Sequence, residues 1–247
     1  MTRAVLVIPA RFASTRLPGK MLLAETGKYL VQHVYEAARR ARGFERVIVA
    51  TDDDRIARAV RSFGGDVEMT SHDCPSGTDR MAEVASRTPG DVFVNLQGDE
   101  PEMDPEALSG LAERLARDPH ASVAPLATPI HDPAEFRDPA AVKVVLDHRG
   151  HALYFSRAPI PHPRDEAPPP PGALKHLGVY AFRRDVLFEF AAAPPSELER
   201  IEKLEQLRLL AMGRSIAIQV VEGGGIGVDT PADYSRFVER YRARSTN

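Results

Sequence analysis

A short loop after the first apolar run of the chain carries three cations, Arg11, Arg16 and Lys20. Ser14 and Gly19 lie between them, so the loop also offers a hydroxyl group and a position where a ligand can approach the backbone closely. Guanidinium and ammonium groups supply the positive charge that a polyphosphate requires. The loop therefore predicts a phosphate-binding site, although a solvated basic loop has the same composition.

This loop follows neither of the common glycine-rich phosphate-binding patterns. Gly19 and Lys20 are followed by Met21, whereas a Walker A loop has Ser or Thr there and a glycine five positions before the second one. The GxGxxG pattern is also missing from the loop. The predicted grip on phosphate therefore relies on side-chain cations more than on a cradle of glycine backbone.

Acidic residues follow two of the predicted strands. Asp99 comes directly after the apolar run 91–96 and after Gly98, which lets a ligand approach, so Asp99 is a candidate ligand for Mg²⁺. A strand-end turn closed by acidic residues is an equally good interpretation. The acids 52–54 follow the run 46–51, and they are metal ligands or, as we favour, charges that suit a helix N-terminus.

Ser76 and Asp79 have the spacing of a capping box, with aspartate in place of the preferred glutamate. They predict a helix that begins near Gly77. The first turn of a helix also exposes backbone N–H groups that can hold an anionic ligand, so capping and binding are compatible here.

The composition of the 247 residues excludes several classes of protein. A hydrophobic fraction of 43% supports a packed core, and the single cysteine, Cys74, excludes an internal disulfide and fits a reducing compartment. A net charge of -3 argues against a general nucleic-acid-binding surface. No apolar stretch approaches the roughly 20 residues that span a bilayer, and no signal-peptide pattern precedes the first strand, so we expect a cytoplasmic protein without membrane partners.

Apolar spacing in the first half of the chain predicts strands that alternate with helices. The predicted strands are 5–8, 46–51, 66–69, 91–96 and 121–126, and the predicted helices include 28–41, 56–63 and 104–117. This alternation is typical of an α/β fold with a parallel sheet and right-handed crossovers. Open sheets of this kind bind ligands beyond the carboxyl ends of their strands, where the basic loop and Asp99 lie.

The pattern changes in the second half of the chain. The runs 141–146 and 151–155 predict an antiparallel hairpin inserted into the parallel framework. The proline-rich segment 159–172 predicts a surface loop, a candidate lid edge. Further predicted elements are a strand at 175–182, one helix at 196–212 with Leu198, Ile201, Leu204 and Leu207 on its apolar face, a strand at 215–221, and a last helix that starts at Thr230, Pro231 and Asp233.

The ordered set of motifs along nearly the whole chain resembles the 3-deoxy-manno-octulosonate cytidylyltransferases, the CMP-Kdo synthetases. The first loop alone is less specific, because sialic acid synthetases and other sugar nucleotidyltransferases share it. Met21 stands where this family often has proline, and the segment 159–172 is divergent. The motifs that carry the resemblance are IPARFASTRLPGK at 8–20, VATDD at 49–53, SGTDR at 76–80, NLQGDEP at 95–101, AVKVV at 141–145, ALYFSRAPIP at 152–161, HLGVYAF at 176–182, LEQLR at 204–208 and GVDTPAD at 227–233.

The resemblance implies an α/β fold in a single domain. Its sheet is expected to be mostly parallel and Rossmann-like, of the nucleotide-diphospho-sugar transferase type, with an inserted antiparallel hairpin. Residues 1–130 and 213–247 are expected to form the nucleotide-binding core, and 131–212 the insert for sugar binding and dimerisation. The expected assembly is therefore a homodimer.

The resemblance also implies transfer of CMP from CTP to the anomeric hydroxyl of Kdo, with release of pyrophosphate, for lipopolysaccharide biosynthesis. The implied CTP-binding residues are Ala10, Arg11, Ser14, Arg16, Lys20, Ser76 and Gly77. The implied sugar-binding residues are Arg80, Gln97, Arg157, His176, Tyr180, Glu205 and Gln206. The implied catalytic residues are Arg11, Lys20, Asp99 and Asp229, of which the two aspartates would bind Mg²⁺. Two neighbouring carboxylates repel each other unless a cation lies between them.

Alternatives remain open on the sequence alone. A cytidylyltransferase for a related acid sugar, 8-amino-Kdo or sialic acid, fits the same motifs. A glycosyltransferase shares the nucleotide-binding architecture and the acid-held metal, and a non-enzymatic sugar-binding protein is a third reading. Without the resemblance, His176 and Tyr180 are ordinary strand residues. Arg157, which the resemblance assigns to the sugar, suits the sugar carboxylate by its planar donor fork.

Overall fold

The computed structural model of the protein describes residues 2–14, 16–165 and 168–245. A 3₁₀ turn, Lys20–Leu22, separates the first strand from the first helix. The strands and α-helices of the described residues are, in chain order, β1 (Ala4–Ala10), α1 (Leu30–Arg40), β2 (Phe44–Thr51), α2 (Asp54–Ser62), β3 (Asp66–Met69), α3 (Gly77–Arg87), β4 (Val92–Asn95), α4 (Pro105–Arg117), β5 (Val123–Pro129), α5 (Pro133–Arg137), β6 (Lys143–Leu146), β7 (Ala152–Ser156), β8 (Leu174–Arg183), α6 (Arg184–Ala192), α7 (Glu197–Glu202), α8 (Gln206–Ala211), β9 (Gln219–Val220) and α9 (Pro231–Ser245).

The chain divides into two compact units. The first unit comprises Met1–Ser109 and Gly225–Asn247, and the second comprises Gly110–Gly224. The sequence-based boundaries were 130 and 213. The first lies about twenty residues after the boundary in the structure, and the second lies about a dozen residues before it. The assignment of separate roles to the two parts stays a prediction.

The first unit contains a parallel sheet with the strand order β3-β2-β1-β4. Every residue of β1 is buried, which explains its unbroken apolar sequence, since a strand covered on both faces has no polar side. In register, Val7 lies opposite Ile48 of β2 and opposite Asn95 of β4. The predicted α/β class with a mostly parallel sheet is therefore confirmed.

The strand order of this sheet reverses at β1. The chain moves outward from β1 to β2 and β3, and then returns to pair β4 with the other edge of β1. Such a reversal opens a crevice beyond the carboxyl ends of the two central strands, because their following loops lead away in opposite directions. The segment 11–19 follows β1 and the segment 96–101 follows β4, so both predicted chemical segments border this crevice.

The second unit contains mixed strand pairs. β5 pairs antiparallel with β8 and parallel with the short β9. β6 and β7 form the predicted antiparallel hairpin, and β6 also pairs with β8. A small apolar cluster of Ile130, Phe136 and Ala173 holds α5 in this unit.

Two predicted elements of the second unit were wrong in extent, and two helices, α5 and α6, were not predicted. The single helix expected over 196–212 is two helices, because Lys203 adopts a left-handed conformation with φ 55° that ends α7. Leu198 and Ile201 are consequently exposed, Ile201 by 70%, whereas Leu207 is buried. The strand expected over 215–221 is regular only at β9, and α6 was not predicted.

The proline-rich segment has no regular helix or strand in its described residues 159–165 and 168–172, as predicted. Glu166 and Ala167 lie outside the described residues, and a lid role stays a prediction. Among the described helices, none is long and apolar enough to cross a bilayer.

Candidate active site

A cavity of about 380 Å³ lies in the first unit, beyond the carboxyl ends of β1 and β4. Most of the residues predicted to bind CTP or metal border it. Its lining residues are Pro9, Arg11, Ala13, Ser14, Arg16, Lys20, Met21, Gly77, Gln97, Gly98, Asp99 and Asp229. The tertiary structure therefore brings residues from four separate segments of the sequence to one cavity.

Lys20 lies at the centre of the charged groups of this cavity. Gly19, with φ 67°, turns the chain into the 3₁₀ turn that directs Lys20 inward, and the Lys20 side chain is only 7% exposed. Its Nζ donates to Asp99 Oδ2 at 2.6 Å, to Asp229 Oδ1 at 3.1 Å and to the carbonyl oxygen of Val228 at 3.0 Å. One ammonium group thus joins two carboxylates that are far apart in the sequence.

Asp229 is held in place by the start of α9. The side chain of Asp233 accepts hydrogen bonds from the backbone N–H groups of Asp229 and Thr230, while Thr230 Oγ1 accepts one from the N–H of Asp233. This reciprocal arrangement is a capping box, and it lies at the helix start that the sequence predicted. Arg16 also contacts Asp229 Oδ1 at 3.0 Å from the exposed side.

Asp99 is fixed by its own backbone. Its carbonyl oxygen accepts a hydrogen bond from Val228 N at 2.8 Å, which ties the segment after β4 to the segment before α9. Gly98 is required for packing, because a Cβ there would lie 2.8 Å from the Pro9 carbonyl oxygen and 3.0 Å from Met21 Sδ. The glycine therefore allows the two loops to meet, whereas the sequence had suggested ligand approach.

Glu100 is a third carboxylate of this centre that sequence reasoning did not select. Its Oε2 is buried and has no hydrogen-bond partner among the described residues. Burial, together with the negative charges of Asp99 and Asp229, raises the pKa of Glu100 to about 7. A Cβ at Gly225 would lie 2.5 Å from this oxygen, so that glycine makes room for the acid. The signal in the sequence was its place directly after Asp99.

The donor set of this centre fits Mg²⁺. Asp99 and Asp229 provide carboxylate oxygens within reach of a single cation, and the cavity beside them has room for phosphate oxygens and water. Mg²⁺ is usually held by one or two protein carboxylates with substrate phosphates completing its shell. Within the described residues no group of three or more histidine, cysteine or acidic side chains is arranged as a complete metal site.

The remaining predicted CTP-binding residues differ in how accessible they are. Arg11 is exposed at the cavity, and Ser14 also lines it. Ala10 is the fully buried last residue of β1 and does not line the cavity. Ser76 caps α3, since its Oγ accepts from Asp79 N at 3.2 Å and donates to Asp79 Oδ2 at 2.7 Å. Capping is thus the role that the geometry gives to Ser76, as one of the two interpretations predicted.

Arg80, a predicted sugar-binding residue, is buried. Its guanidinium donates to Thr70 Oγ1 and, at 3.1 Å, to Asp52 Oδ2, whereas its Nε has no hydrogen-bond partner among the described residues. The expected sugar contact of Arg80 stays a prediction. Asp52 also pairs with His72, and Asp53 is the N-cap of α2, as the favoured interpretation of these acids required.

Arg157 is likewise occupied by protein groups. Its Nε donates to the Glu202 carbonyl oxygen at 2.7 Å, and its terminal nitrogens donate to the carbonyl oxygens of Pro139 at 2.9 Å and Lys203 at 3.4 Å. The buried ammonium of Lys143 holds the Arg157 carbonyl oxygen at 2.8 Å. The donor fork thus caps the end of α7, and the expected carboxylate-binding role of Arg157 stays a prediction.

The other predicted sugar-binding residues of the second unit form one set, in which Gln206 is buried, His176 and Tyr180 are half-buried and Glu205 is exposed. The His176 ring packs edge-on against Phe155 at 5.3 Å and at a tilt against Tyr180 at 5.2 Å, measured between ring centroids. Burial lowers the pKa of His176 to about 3, so its ring is neutral at pH 7. Burial and then the charge of Glu205 raise the pKa of Tyr180 well above its usual value.

Two polar atoms of this set have no hydrogen-bond partner among the described residues. They are His176 Nε2 and Gln206 Nε2, both buried. Buried polar atoms are normally satisfied, and those that are not often mark a place where a ligand completes the bonding. In the first unit, Gln97 lines the cavity and donates to Asn95 Oδ1 at 3.3 Å.

Comparison with known proteins gives a consistent result. A family model described as cytidylyltransferase matches residues 5–216. A 3-deoxy-manno-octulosonate cytidylyltransferase from Syntrophotalea carbinolica is 49% identical over 96% of this chain and 97% of its own length. One of the same name from Escherichia coli is 49% identical over 94% of this chain and 93% of its own length.

Solved structures agree with this. A CMP:2-keto-3-deoxy-manno-octonic acid synthetase in complex with CTP has a TM-score of 0.94 and 46% identity, and the match covers 98% of this chain and all of that one. A 4-diphosphocytidyl-2C-methyl-D-erythritol synthase from Anaerococcus prevotii has a TM-score of 0.63 at 13% identity, which shows the fold alone. The extent and identity of these matches place the chain in one family: it belongs to the 3-deoxy-manno-octulosonate cytidylyltransferases.

Proposed function

We propose that this chain transfers CMP from CTP to the anomeric hydroxyl of 3-deoxy-D-manno-octulosonate. The sugar oxygen forms a bond to the α-phosphorus of CTP, the bond from that phosphorus to the bridging oxygen breaks, and pyrophosphate leaves. The observation that carries the proposal is the cavity of about 380 Å³ in which Lys20 joins Asp99 and Asp229. A relative with 46% identity was solved with CTP bound.

The basic residues of the cavity suit the triphosphate of CTP. Arg11 is exposed there and has no ion-pair partner among the described residues, so its donors are available to phosphate. Ser14 and the backbone around Gly77 add hydrogen-bonding groups at the same cavity. In a phosphoryl substitution an enzyme acts mainly by positioning and by neutralising charge, and these groups are placed for both.

Asp99 and Asp229 are the proposed ligands of Mg²⁺. Bound there, the metal would supply positive charge next to the α-phosphate and lower the pKa of a coordinated hydroxyl. The residues themselves are held rigidly, Asp229 by the capping box of α9 and Asp99 by its backbone bond to Val228. Rigid placement lets the two carboxylates keep their positions when the nucleotide enters.

The proposed sugar-binding residues of the second unit are His176, Tyr180, Glu205 and Gln206. His176 and Gln206 each present an unpartnered, buried nitrogen, and hydroxyl groups of an acid sugar can bond to either. A neutral His176 offers one donor and one acceptor, which suits hydroxyl recognition better than carboxylate binding. The carboxylate partner of the sugar is therefore a residue other than His176.

The proposed setting is that of a cytoplasmic homodimer that supplies activated Kdo for lipopolysaccharide. Leu153 and Ile201 of the second unit are 62% and 70% exposed, and Leu198 is also exposed. Large exposed aliphatic side chains on β7 and α7 suit a surface that is covered by a second copy of the chain.

A coupled pyrophosphate assay tests the reaction. The protein is given each of four nucleoside triphosphates with Kdo, 8-amino-Kdo or sialic acid. We expect release with CTP and Kdo that exceeds every other pair and that stops in EDTA. A sugar nucleotide formed fastest from another acid sugar would reassign the substrate. Release of no pyrophosphate, with transfer from a preformed nucleotide sugar, would instead indicate a glycosyltransferase.

A further inference from the structure

The Lys20 ammonium uses all of its hydrogen-bond donors on protein groups. An ammonium group has three N–H donors, and Lys20 Nζ has three acceptors within 2.6–3.1 Å, namely Asp99 Oδ2, Asp229 Oδ1 and the Val228 carbonyl oxygen. A phosphate oxygen can therefore bond to Lys20 only if one of these three contacts is released. Lys20 therefore cannot bond to phosphate and keep all three of its protein contacts at the same time.

Lys20 is also the principal counter-ion of this acidic centre. Among the described residues, Asp99 forms an ion pair with Lys20 only, and Asp229 forms pairs with Lys20 and the exposed Arg16. Glu100 adds a third acidic side chain, whose Oε2 is buried and has no hydrogen-bond partner among the described residues. Close carboxylates are unfavourable without a cation, so removal of the ammonium leaves Asp99 without compensation.

We propose that Lys20 is a built-in counter-ion that occupies the carboxylates of Asp99 and Asp229 until a triphosphate arrives, and that it thereby couples binding of the divalent cation to binding of the nucleotide. The inference rests on the proposed function, because the cation and the triphosphate are those of cytidylyl transfer. In the nucleotide-free chain the ammonium and a divalent cation compete for the same two oxygens. When phosphate oxygens take over the ammonium, the carboxylates become available.

The competition can be measured without catalysis. Binding of Mn²⁺ to the nucleotide-free protein is followed by electron paramagnetic resonance, which reports free Mn²⁺ directly. Lys20→Met keeps most of the aliphatic stem and removes the charge, and we expect it to bind Mn²⁺ about tenfold more tightly than the unaltered chain, or better. Lys28→Met is the matched control, since Lys28 pairs with Glu36 away from this cavity, and it should leave the affinity unchanged.

A second measurement follows the coupling itself. Addition of CTP without sugar should raise the Mn²⁺ affinity of the unaltered chain strongly. In Lys20→Met the gain should be much smaller than in the unaltered chain, because the carboxylates are already accessible. Thermal unfolding gives an independent reading, and Mn²⁺ alone should raise the melting temperature of Lys20→Met more than that of the unaltered chain.

Equal or weaker Mn²⁺ affinity in Lys20→Met, with the variant folded by circular dichroism, would overturn the proposal. If Lys20→Met does not fold, Lys20→Gln is measured in its place and the same outcomes apply. The double variant Lys20→Met, Asp99→Asn lacks one of the two carboxylates, so its Mn²⁺ affinity should be lower than that of Lys20→Met. Failure of the proposed function is seen separately, as absence of pyrophosphate release by the unaltered chain with CTP and every acid sugar.

Discussion

The Lys20 side chain connects two acidic residues that are far apart in the sequence. It is 209 positions from Asp229 and 79 from Asp99, and it contacts both carboxylates. The sequence assigned Lys20 chiefly to phosphate and the two aspartates to a metal. The structure places the Lys20 ammonium in contact with both carboxylates, which changes what is expected of substitutions at all three positions.

Asp99→Asn is expected to abolish most Mg²⁺-dependent activity. From the sequence one would also expect the fold to tolerate this change or gain stability, since a carboxylate repulsion is relieved. Because Asp99 is instead paired with the buried ammonium of Lys20 at 2.6 Å, we expect the free energy of unfolding to fall by about 1–3 kcal/mol. Urea denaturation measures this, with the exposed Asp73→Asn as control.

The unfolding experiment tests whether the ion pair between Lys20 and Asp99 or the repulsion between the acidic side chains has the larger effect on stability. An Asp99→Asn protein that is more stable than the unaltered chain would show that repulsion between the acids outweighs the Lys20 contact. The activity measurement stands apart, because an amide cannot replace the carboxylate as a metal ligand in either case.

Arg11→Ala should reduce turnover with CTP by about 10²–10³-fold while the fold persists. Arg11 is exposed at the cavity and has no ion-pair partner among the described residues, so its loss removes a donor to phosphate and little else. Pyrophosphate release at saturating CTP is the measurement. Arg58→Ala, an exposed arginine on α2, is the control, and near-full activity of Arg11→Ala would exclude a phosphate role.

At the scale of elements, the start of α9 positions a chemical group through helix capping. Thr230 Oγ1 donates to the Asp233 carboxylate at 2.8 Å, and Asp233 in turn accepts from the backbone that carries Asp229. The hydrogen bond from Thr230 and the ion pair with Arg236 lower the pKa of Asp233 to about 2. The charged form of Asp233 is therefore favoured in the folded state.

Asp233→Ala is expected to lower the free energy of unfolding by about 1 kcal/mol at pH 7. A depressed pKa stabilises the fold above the unfolded value of about 3.9, and this contribution is lost as the pH falls toward 2. The difference between Asp233→Ala and the unaltered chain should therefore shrink between pH 4 and pH 2. Denaturation at several pH values measures it, and Glu239→Gln, an exposed change on α9, should show no such trend.

The end of α7 depends on Arg157. Arg157→Lys keeps one positive charge but cannot reach the three carbonyl oxygens of Pro139, Glu202 and Lys203 at once. We expect the free energy of unfolding to fall by about 1–2 kcal/mol. The segment between α7 and α8 should then become less ordered. We therefore expect the Michaelis constants for CTP and for the sugar to change together.

A Michaelis constant that rises for the sugar alone, with stability unchanged, would instead support the carboxylate-binding role that the resemblance implied for Arg157. Arg200→Lys is the matched control for this experiment. Arg200 is exposed on the same helix, and its replacement should alter neither stability nor kinetics.

For the whole molecule, the exposed aliphatic residues of the second unit predict self-association. We expect analytical ultracentrifugation at micromolar concentration to give about twice the 27.1 kDa chain mass. Ile201→Glu with Leu153→Glu should shift the protein to the monomer, since buried charges without partners are costly. Met69→Glu, at a 39% exposed apolar position of the first unit, should leave the dimer intact. A monomeric unaltered chain would contradict the expectation.

Sequence patterns anticipated the first unit better than the second. β1, β4 and residues 47–51 of β2 are buried on both faces, so their composition alone marks them as inner strands. In the second unit, the leucines and isoleucine of 198–207 fit one long helix by spacing, yet the chain turns at Lys203 and leaves Ile201 in solvent. The spacing of apolar residues gives no sign of a helix end that is caused by the backbone conformation of a residue other than glycine or proline.

By itself the sequence determined the α/β alternation, the basic loop after β1, the acid after β4 and the helix start that carries Asp229. Each of these depends on residues within a few positions of one another, where local spacing, capping and turn preferences act. Only the tertiary structure decided which cation lies between Asp99 and Asp229, that Arg80 and Arg157 bond to protein groups, and that Glu100 is buried beside the two acids. Ion pairs and burial depend on distant segments that packing brings together, and residue spacing carries no record of those distances.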